Sequence, residues 1–410
     1  RPRPLHLDEM LQLAALYVGD AADVVPRDLL TDSGGVPRRV HERISEWAHA
    51  HASQRLGRLA TQAASGRTDL RSVESDLAGT VIDLQQVREQ TRLFGLGPGR
   101  HAPEPEGPPY RGLTSFEAGD ADVFFGRERL VAELVSRLAG ASLLGVVGAS
   151  GSGKSSAVRA GLVPALASGV LPGSDEWSVV VVRPGPHPLR ALDRALWSGL
   201  PKELVGRLGE DARGLEAVRD VLGPDQRVLL VVDQLEEAFT LCDDQAERAG
   251  FLAALSAAAD DPRSGVAVVA AIRADYYGRC AADLRLAELL SANHVLVGPM
   301  TAEEYRRVIV QPALRYGVSI DTGLVDDLVA QVVGEPGALP LLSTALLELW
   351  EARDGRAIHQ AAYLETGGVR GAVARLADEV YDGFDEEQQT IARRSEERRV
   401  GKECTATCRS

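Results

Sequence analysis

Apolar and polar positions change rhythm along this chain. Over residues 1–96 apolar side chains recur three and four apart, as at Val40, Ile44, Trp47 and Ala48 and again at Val73, Leu77, Val81, Leu84 and Val87. Such positions share one face of a helix, so the pattern predicts an all-helical region of about three or four helices. Ser33-Gly-Gly-Val-Pro37 and Ser65-Gly66 read as turns within it. Residues 97–110 follow as a stiff Pro/Gly-rich linker, Gly97-Pro-Gly-Arg-His-Ala-Pro-Glu-Pro-Glu-Gly-Pro-Pro109. Short continuous apolar runs then alternate with helical stretches, and strands are predicted at 142–147, 179–183, 228–232, 266–272 and 294–297. Uninterrupted apolar strands separated by helices mark an α/β protein with a parallel sheet covered on both faces, here over 111–300. Beyond residue 300 no strand pattern is visible. Amphipathic stretches at 302–310, 324–333 and 339–352 predict a C-terminal helical lid over 301–393.

Composition narrows the classes without choosing among them. The chain has 410 residues, 45% of them apolar and 25% charged, enough for two or three cored domains. No run approaches the roughly 18 uninterrupted apolar residues of a membrane helix. A net charge of -14 with 5% aromatics disfavours both phosphate backbones and base stacking, so nucleic-acid binding is not expected. The four cysteines, Cys242, Cys280, Cys404 and Cys408, form no disulfide framework, which suits a reducing, cytoplasmic setting. Lysine occurs only at Lys154, Lys202 and Lys402 among many arginines. Lys402 sits in Arg394-Ser-Glu-Glu-Arg-Arg-Val-Gly-Lys-Glu-Cys404, a stretch that reads like a translated sequencing adapter. Residues 394–410 are therefore expected to be a foreign tail and are set aside from the fold. With Arg1 first, the chain is expected to be an internal fragment of a longer protein.

The candidate chemistry lies at strand ends. Gly148, Ala149, Ser150, Gly151, Ser152, Gly153, Lys154 and Ser155 make a complete G-x-x-x-x-G-K-S loop between an apolar strand and a helical stretch entered at Ser156. Glycines let successive backbone N–H groups turn around an anion, and the following helix adds its positive end. Lys154 supplies an ammonium for terminal phosphates, and Ser155 a hydroxyl for Mg²⁺. The run Arg227-Val-Leu-Leu-Val-Val-Asp233 ends an apolar strand in a carboxylate that can hold Mg²⁺ through water. Glu236 or Glu237, just beyond, can activate water or simply begin a helix, where negative charge is favourable. Arg273, at the end of Val268-Val-Ala-Ala-Ile, is a candidate γ-phosphate sensor or a plain salt-bridge partner.

These residues together resemble the STAND class of P-loop NTPases, signal-transduction ATPases with numerous domains, and within it the bacterial novel STAND type-one domain. The resemblance runs from 109 to 393. It rests on Pro109-Tyr-Arg-Gly-Leu113, Phe124-Phe-Gly-Arg-Glu128, the glycine loop with Ser156 and Arg159-Ala-Gly-Leu-Val-Pro164, Asp233-Gln-Leu-Glu-Glu237, Arg273-Ala-Asp275 and Glu335-Pro-Gly-Ala-Leu-Pro-Leu-Leu342. It implies ATP or ADP with Mg²⁺, with Gly126, Arg127 and Glu128 flanking the adenine and Pro340 of the lid touching base or sugar. The chain departs from the wider class with Leu130 in place of a glutamate, and with Gly337 one place early before Ala338-Leu-Pro340. The resemblance further implies a slowly hydrolysing signalling switch. It implies self-association through the NTPase domain, an upstream effector, and a downstream sensor, often of WD repeats, outside this chain. A multiple-turnover ATPase that remodels a partner and a nucleotide-stabilised scaffold remain the alternatives.

Overall fold

The computed structural model describes residues 107–205, 226–260, 265–335 and 337–365 without interruption, with isolated positions before 49, at 215–222 and at 371–389. Positions 39, 40, 43, 44, 47 and 48 are helical, with Val40, Ile44 and Ala48 buried on the face their spacing predicts. The stretch 73–87, most of the linker and the tail 394–410 lie outside the described residues.

The chain divides into two compact units, one containing Ser115–Glu304 and the other Gly107–Thr114 with the residues from Tyr305 onward. In the first, α1 (Glu128–Ala139) leads into β1 (Leu143–Gly148). The helix after it, α2, begins as Lys154–Ser156, passes through a π-helical turn at Ala157–Leu162 and ends as Val163–Ala167. Then come β2 (Ser178–Val182), α3 (Pro188–Gly199), β3 (Val228–Val232), α4 (Gln245–Asp260), β4 (Val266–Arg273), α5 (Leu284–Ala292) and β5 (His294–Val297). These strands form a five-stranded sheet in the order β2-β3-β4-β1-β5, and every pairing is parallel.

Each predicted strand is present; the central β1, β3 and β4 are buried on both faces, whereas the edge strands β2 and β5 leave Val181 and Leu296 exposed. Alternate residues sort onto the two sides. Leu144, Val146, Leu229, Val231, Val269 and Ala271 pack with α1 and α2 residues such as Leu134, Val158 and Leu162. Leu143, Val147, Leu230, Val232, Val268 and Ala270 pack instead with Leu192, Leu196, Phe251, Leu255 and Leu286 from α3, α4 and α5. Gly161 sets how closely α2 approaches α1: a Cβ there would lie 2.4 Å from Val131 Cγ2. The order also separates β1 from β3 by β4, so the ends of β1, β4 and β3 follow one another along the carboxyl edge. In parallel α/β sheets that edge is where ligands bind.

The second unit is mainly helical: α6 (Ala302–Arg315, entered from the core unit), α7 (Thr322–Val332), α8 (Ala338–Glu351) and α9 (Gln360–Glu365). Thr301 and Glu304 cap α6 reciprocally, Thr301 N–H donating to Glu304 Oε2 and Glu304 N–H to Thr301 Oγ1. Contrary to the strandless reading of this region, β6 (Ser319–Ile320) and β7 (Ala357–Ile358) pair in parallel. Two residues are too few to produce a readable alternation. Gly107–Thr114, divided in the sequence reading between linker and core, groups with this unit. The cause is Tyr110, which is buried, donates from its hydroxyl to the Ile309 carbonyl at 2.5 Å and meets Trp350 edge-on. Burial raises its phenol pKa above the ordinary value.

Candidate nucleotide site

β1 ends at Gly148 and the chain turns at once into the glycine loop. Gly151 and Gly153 have φ of 72° and 87°, a left-handed conformation that glycine adopts without steric cost. Gly148 is confined differently: a Cβ there would lie 2.9 Å from Ser152 Oγ and 3.0 Å from the Val297 carbonyl. Lys154 opens α2 and is buried, its Nζ donating to the carbonyls of Gly148 at 2.9 Å and Ala149 at 2.7 Å. Desolvation lowers its pKa; the Glu236 carboxylate opposes this, Arg273 adds to it, and Asp233 and Asp275 oppose it further.

The next side chain, Ser155, donates from Oγ to Asp233 Oδ1 at 2.6 Å. Asp233 follows β3 directly, its N–H held by the Val182 carbonyl at 2.9 Å, and is 1% exposed. A hydroxyl and a carboxylate from separate strand ends thus meet beside a buried ammonium. Ser152 Oγ is buried and has no hydrogen-bond partner among the described residues. Such a donor set fits a polyphosphate with a divalent cation, with Ser155 and Asp233 as the metal side and the loop amides and Lys154 as the phosphate side.

The two candidate glutamates part company. Gln234 takes φ of 58°, uncommon for a side-chain-bearing residue, and the chain doubles back. Leu235, fully buried, donates its N–H to the Ala271 carbonyl of β4 at 2.9 Å. Glu236 Oε2 then accepts the Arg273 backbone N–H at 3.2 Å, on the side of β3 nearer the loop strand. Glu237 Oε2 accepts the Gly185 N–H at 3.1 Å, beyond β2 on the opposite side. Arg273 forms a two-point pair with Asp275, Nε to Oδ1 at 3.1 Å and Nη2 to Oδ2 at 2.8 Å. That hydrogen bonding raises the pKa of the guanidinium and lowers that of the carboxylate.

The residues expected around adenine divide between the units. Gly126, with φ of 83°, donates its N–H to Glu128 Oε1 at 2.9 Å. Buried Arg127 bridges the glycine loop and the chain after β5, its Nη2 donating to the Ser152 carbonyl at 2.8 Å and the Gly298 carbonyl at 3.2 Å. Pro340 lies in the first turn of α8 in the helical unit, where its carbonyl accepts from Thr344 Oγ1 at 3.0 Å. Gly337, before that helix, has φ of 73°, so its displaced position meets a backbone need. Leu130 belongs to the core, which accounts for an apolar residue there. Ser156 Oγ is taken up by the Phe116 N–H at 3.2 Å. Cys242 and Cys280 are buried free thiols, and burial pushes Cys280 up to about 12.

Sequence reasoning missed Arg159, Arg183 and Glu117. Arg159 Nη1 lies 2.7 Å from Glu117 Oε1 and 3.8 Å from Asp233 Oδ2. Arg183 Nη2 lies 3.4 Å from the same Asp233 oxygen. Only Arg159 had a visible signal, within Arg159-Ala-Gly-Leu-Val-Pro164, and its role needs the tertiary contacts.

No helix among the described residues is long and apolar enough to cross a membrane. No curated protein is similar in sequence. Among solved structures, the chain is similar to the Walker-type ATPase PABY2304 of Pyrococcus abyssi, with 16% identity, TM-score 0.44, and coverage of 72% of this chain and 80% of that one. It is also similar to the Aeropyrum pernix Orc1 protein in complex with DNA, at 20% identity, TM-score 0.43, and 66% and 72% coverage. The family model described as novel STAND NTPase 1 matches residues 109–400, which hold the glycine loop, Asp233, Arg273 and the helical unit. The chain belongs to the novel STAND NTPase 1 family.

Proposed function

We propose that this NTPase is an ATP-binding, slowly hydrolysing switch whose nucleotide state is passed to neighbouring parts of a longer protein. The observation that carries the reading is the meeting of Ser155 Oγ and Asp233 Oδ1 at 2.6 Å beside the buried Lys154. Mg²⁺, held by Ser155 and Asp233, would supply positive charge to the β- and γ-phosphate oxygens. The loop amides orient the phosphate chain, and Lys154 exchanges its loop carbonyls for phosphate oxygens. Glu236, nearer the loop strand, receives the proton of the attacking water. Arg273, released from Asp275, steadies the charge on the γ-phosphate.

Slow turnover is supported by how these groups are engaged. Glu236 and Glu237 each accept a backbone N–H. Each must change partners before it can act on a water. A working enzyme keeps such groups preorganised.

The deciding experiment denatures the purified chain, identifies any released nucleotide and times ATP turnover on the same sample. Stoichiometric ADP with fewer than about one turnover per minute, against 1–10³ s⁻¹ for typical enzymes, is the expected result. An empty site with fast sustained hydrolysis would replace the switch by a multiple-turnover engine. Bound nucleotide without any hydrolysis would leave a scaffold. In the Asp233→Asn variant the dependence of nucleotide binding on Mg²⁺ should vanish.

A further inference from the structure

Asp233 is almost fully buried, and a carboxylate in that position needs compensating charge. Its Oδ1 takes the Ser155 hydroxyl, while Oδ2 faces Arg183 Nη2 at 3.4 Å and Arg159 Nη1 at 3.8 Å. A divalent cation arriving at this carboxylate brings its charge against two guanidiniums, and repulsion at such distances requires one of them to yield.

Arg159 has somewhere to go. The same Nη1 lies 2.7 Å from Glu117 Oε1 and 3.4 Å from Ser115 Oγ, and its buried Nε has no hydrogen-bond partner among the described residues. Arg159 lies within the π-helical turn of α2, at whose end the Val163 N–H reaches back five residues to the Val158 carbonyl. Single π turns inside helices recur at functional sites. The guanidinium is thus held between a buried carboxylate that is wanted by a cation and a half-exposed one that is not.

We propose that Arg159 is a positioning residue that competes with the cation for Asp233, and that Glu117 sets the strength of this competition by holding Arg159 away. The proposal rests on the reading of Ser155 and Asp233 as the cation site. Ser115 is the first residue of the core unit after the chain leaves Gly107–Thr114 of the helical unit, and Glu117 follows just beyond. Displacement of this crossing segment would therefore alter cation affinity without touching a metal ligand.

The test titrates Mg²⁺ against binding of a fluorescent ADP analogue by the full chain and reads the Mg²⁺ midpoint. Glu117→Gln, which keeps the side chain's shape, should raise the midpoint about three- to tenfold by leaving Arg159 to Asp233. Arg159→Gln should lower it by a similar factor. In the Arg159→Gln background, Glu117→Gln should have no further effect, whereas in an Arg183→Gln background its effect should persist. A purely structural role moves both single variants in the same direction, and that result, or a Glu117 effect surviving without Arg159, overturns the proposal. Should Arg159→Gln fail to fold, Glu117→Gln decides alone: an unchanged or lowered midpoint refutes the competition. If wild-type binding ignores Mg²⁺ and Asp233→Asn changes nothing, the cation-site reading itself has failed.

Discussion

Strands β3 and β4 lie side by side, and each runs out into an aspartate with arginine nearby, yet the two ends have opposite characters. Asp233 is 1% exposed, shared among Ser155, Arg159 and Arg183, and fixed by a chain reversal at Gln234. Asp275 has a side chain 55% exposed and meets Arg273 in a two-point pair, with the guanidinium also near the Tyr276 ring. Burial makes the difference. At the β3 end the buried carboxylate must be answered by specific charged and hydrogen-bonding partners. At the β4 end water screens the pair, so it can open at little cost and release Arg273.

The contrast can be broken most forcefully at the loop. Lys154→Ala removes the buried ammonium, and turnover should fall about 10²–10³-fold, with MgATP no longer raising the melting temperature. An unchanged thermal shift would mean that phosphate is held elsewhere. The glutamates that follow β3 sharpen the comparison. Glu236→Gln should slow single-turnover hydrolysis about 10²–10⁴-fold, the usual worth of a general base. Glu237→Gln should cost only about threefold, the effect of weakening one hydrogen bond to a backbone amide. Equal losses would erase the assignment of Glu236.

Smaller effects test the scaffold. Gly161→Ala presses a methyl into Val131 and should cost about 1–3 kcal/mol, the range for overpacking, seen as a lowered melting temperature with the loop residues intact. No change would show that α1 and α2 separate freely. The smallest effect belongs to the exposed end of β4. Asp275→Asn should leave the melting temperature where it was, and a drop as large as that of Gly161→Ala would contradict the contrast between the two strand ends.

How much of this was readable from the sequence differs by element. The strands of the core were legible because each is a short, largely apolar run between helical stretches, and the central Val228–Val232 is apolar and buried at every position, as a strand covered on both faces must be. The glycine loop was legible because its chemistry is local: Gly151 and Gly153 supply left-handed turns, and Lys154 and Ser155 follow at once. β6 and β7 left no signal, being two residues each. Tyr110 was hidden at the end of a Pro-rich stretch, since its anchoring depends on Ile309 and Trp350 far along the chain. The separate destinations of Glu236 and Glu237 were equally invisible, because they follow from Gln234 and from which strands flank β3.

The sequence by itself therefore determined the parallel sheet, the phosphate loop and the identity of the buried carboxylate. Each is written in consecutive residues whose spacing and backbone demands act locally. Only the tertiary structure decided which glutamate stands nearer the loop and which arginines compensate Asp233, and that Glu117 shares one of them. Those relations depend on the lateral order of strands and on charges brought together from distant segments, where Coulomb interaction and desolvation act through space rather than along the chain.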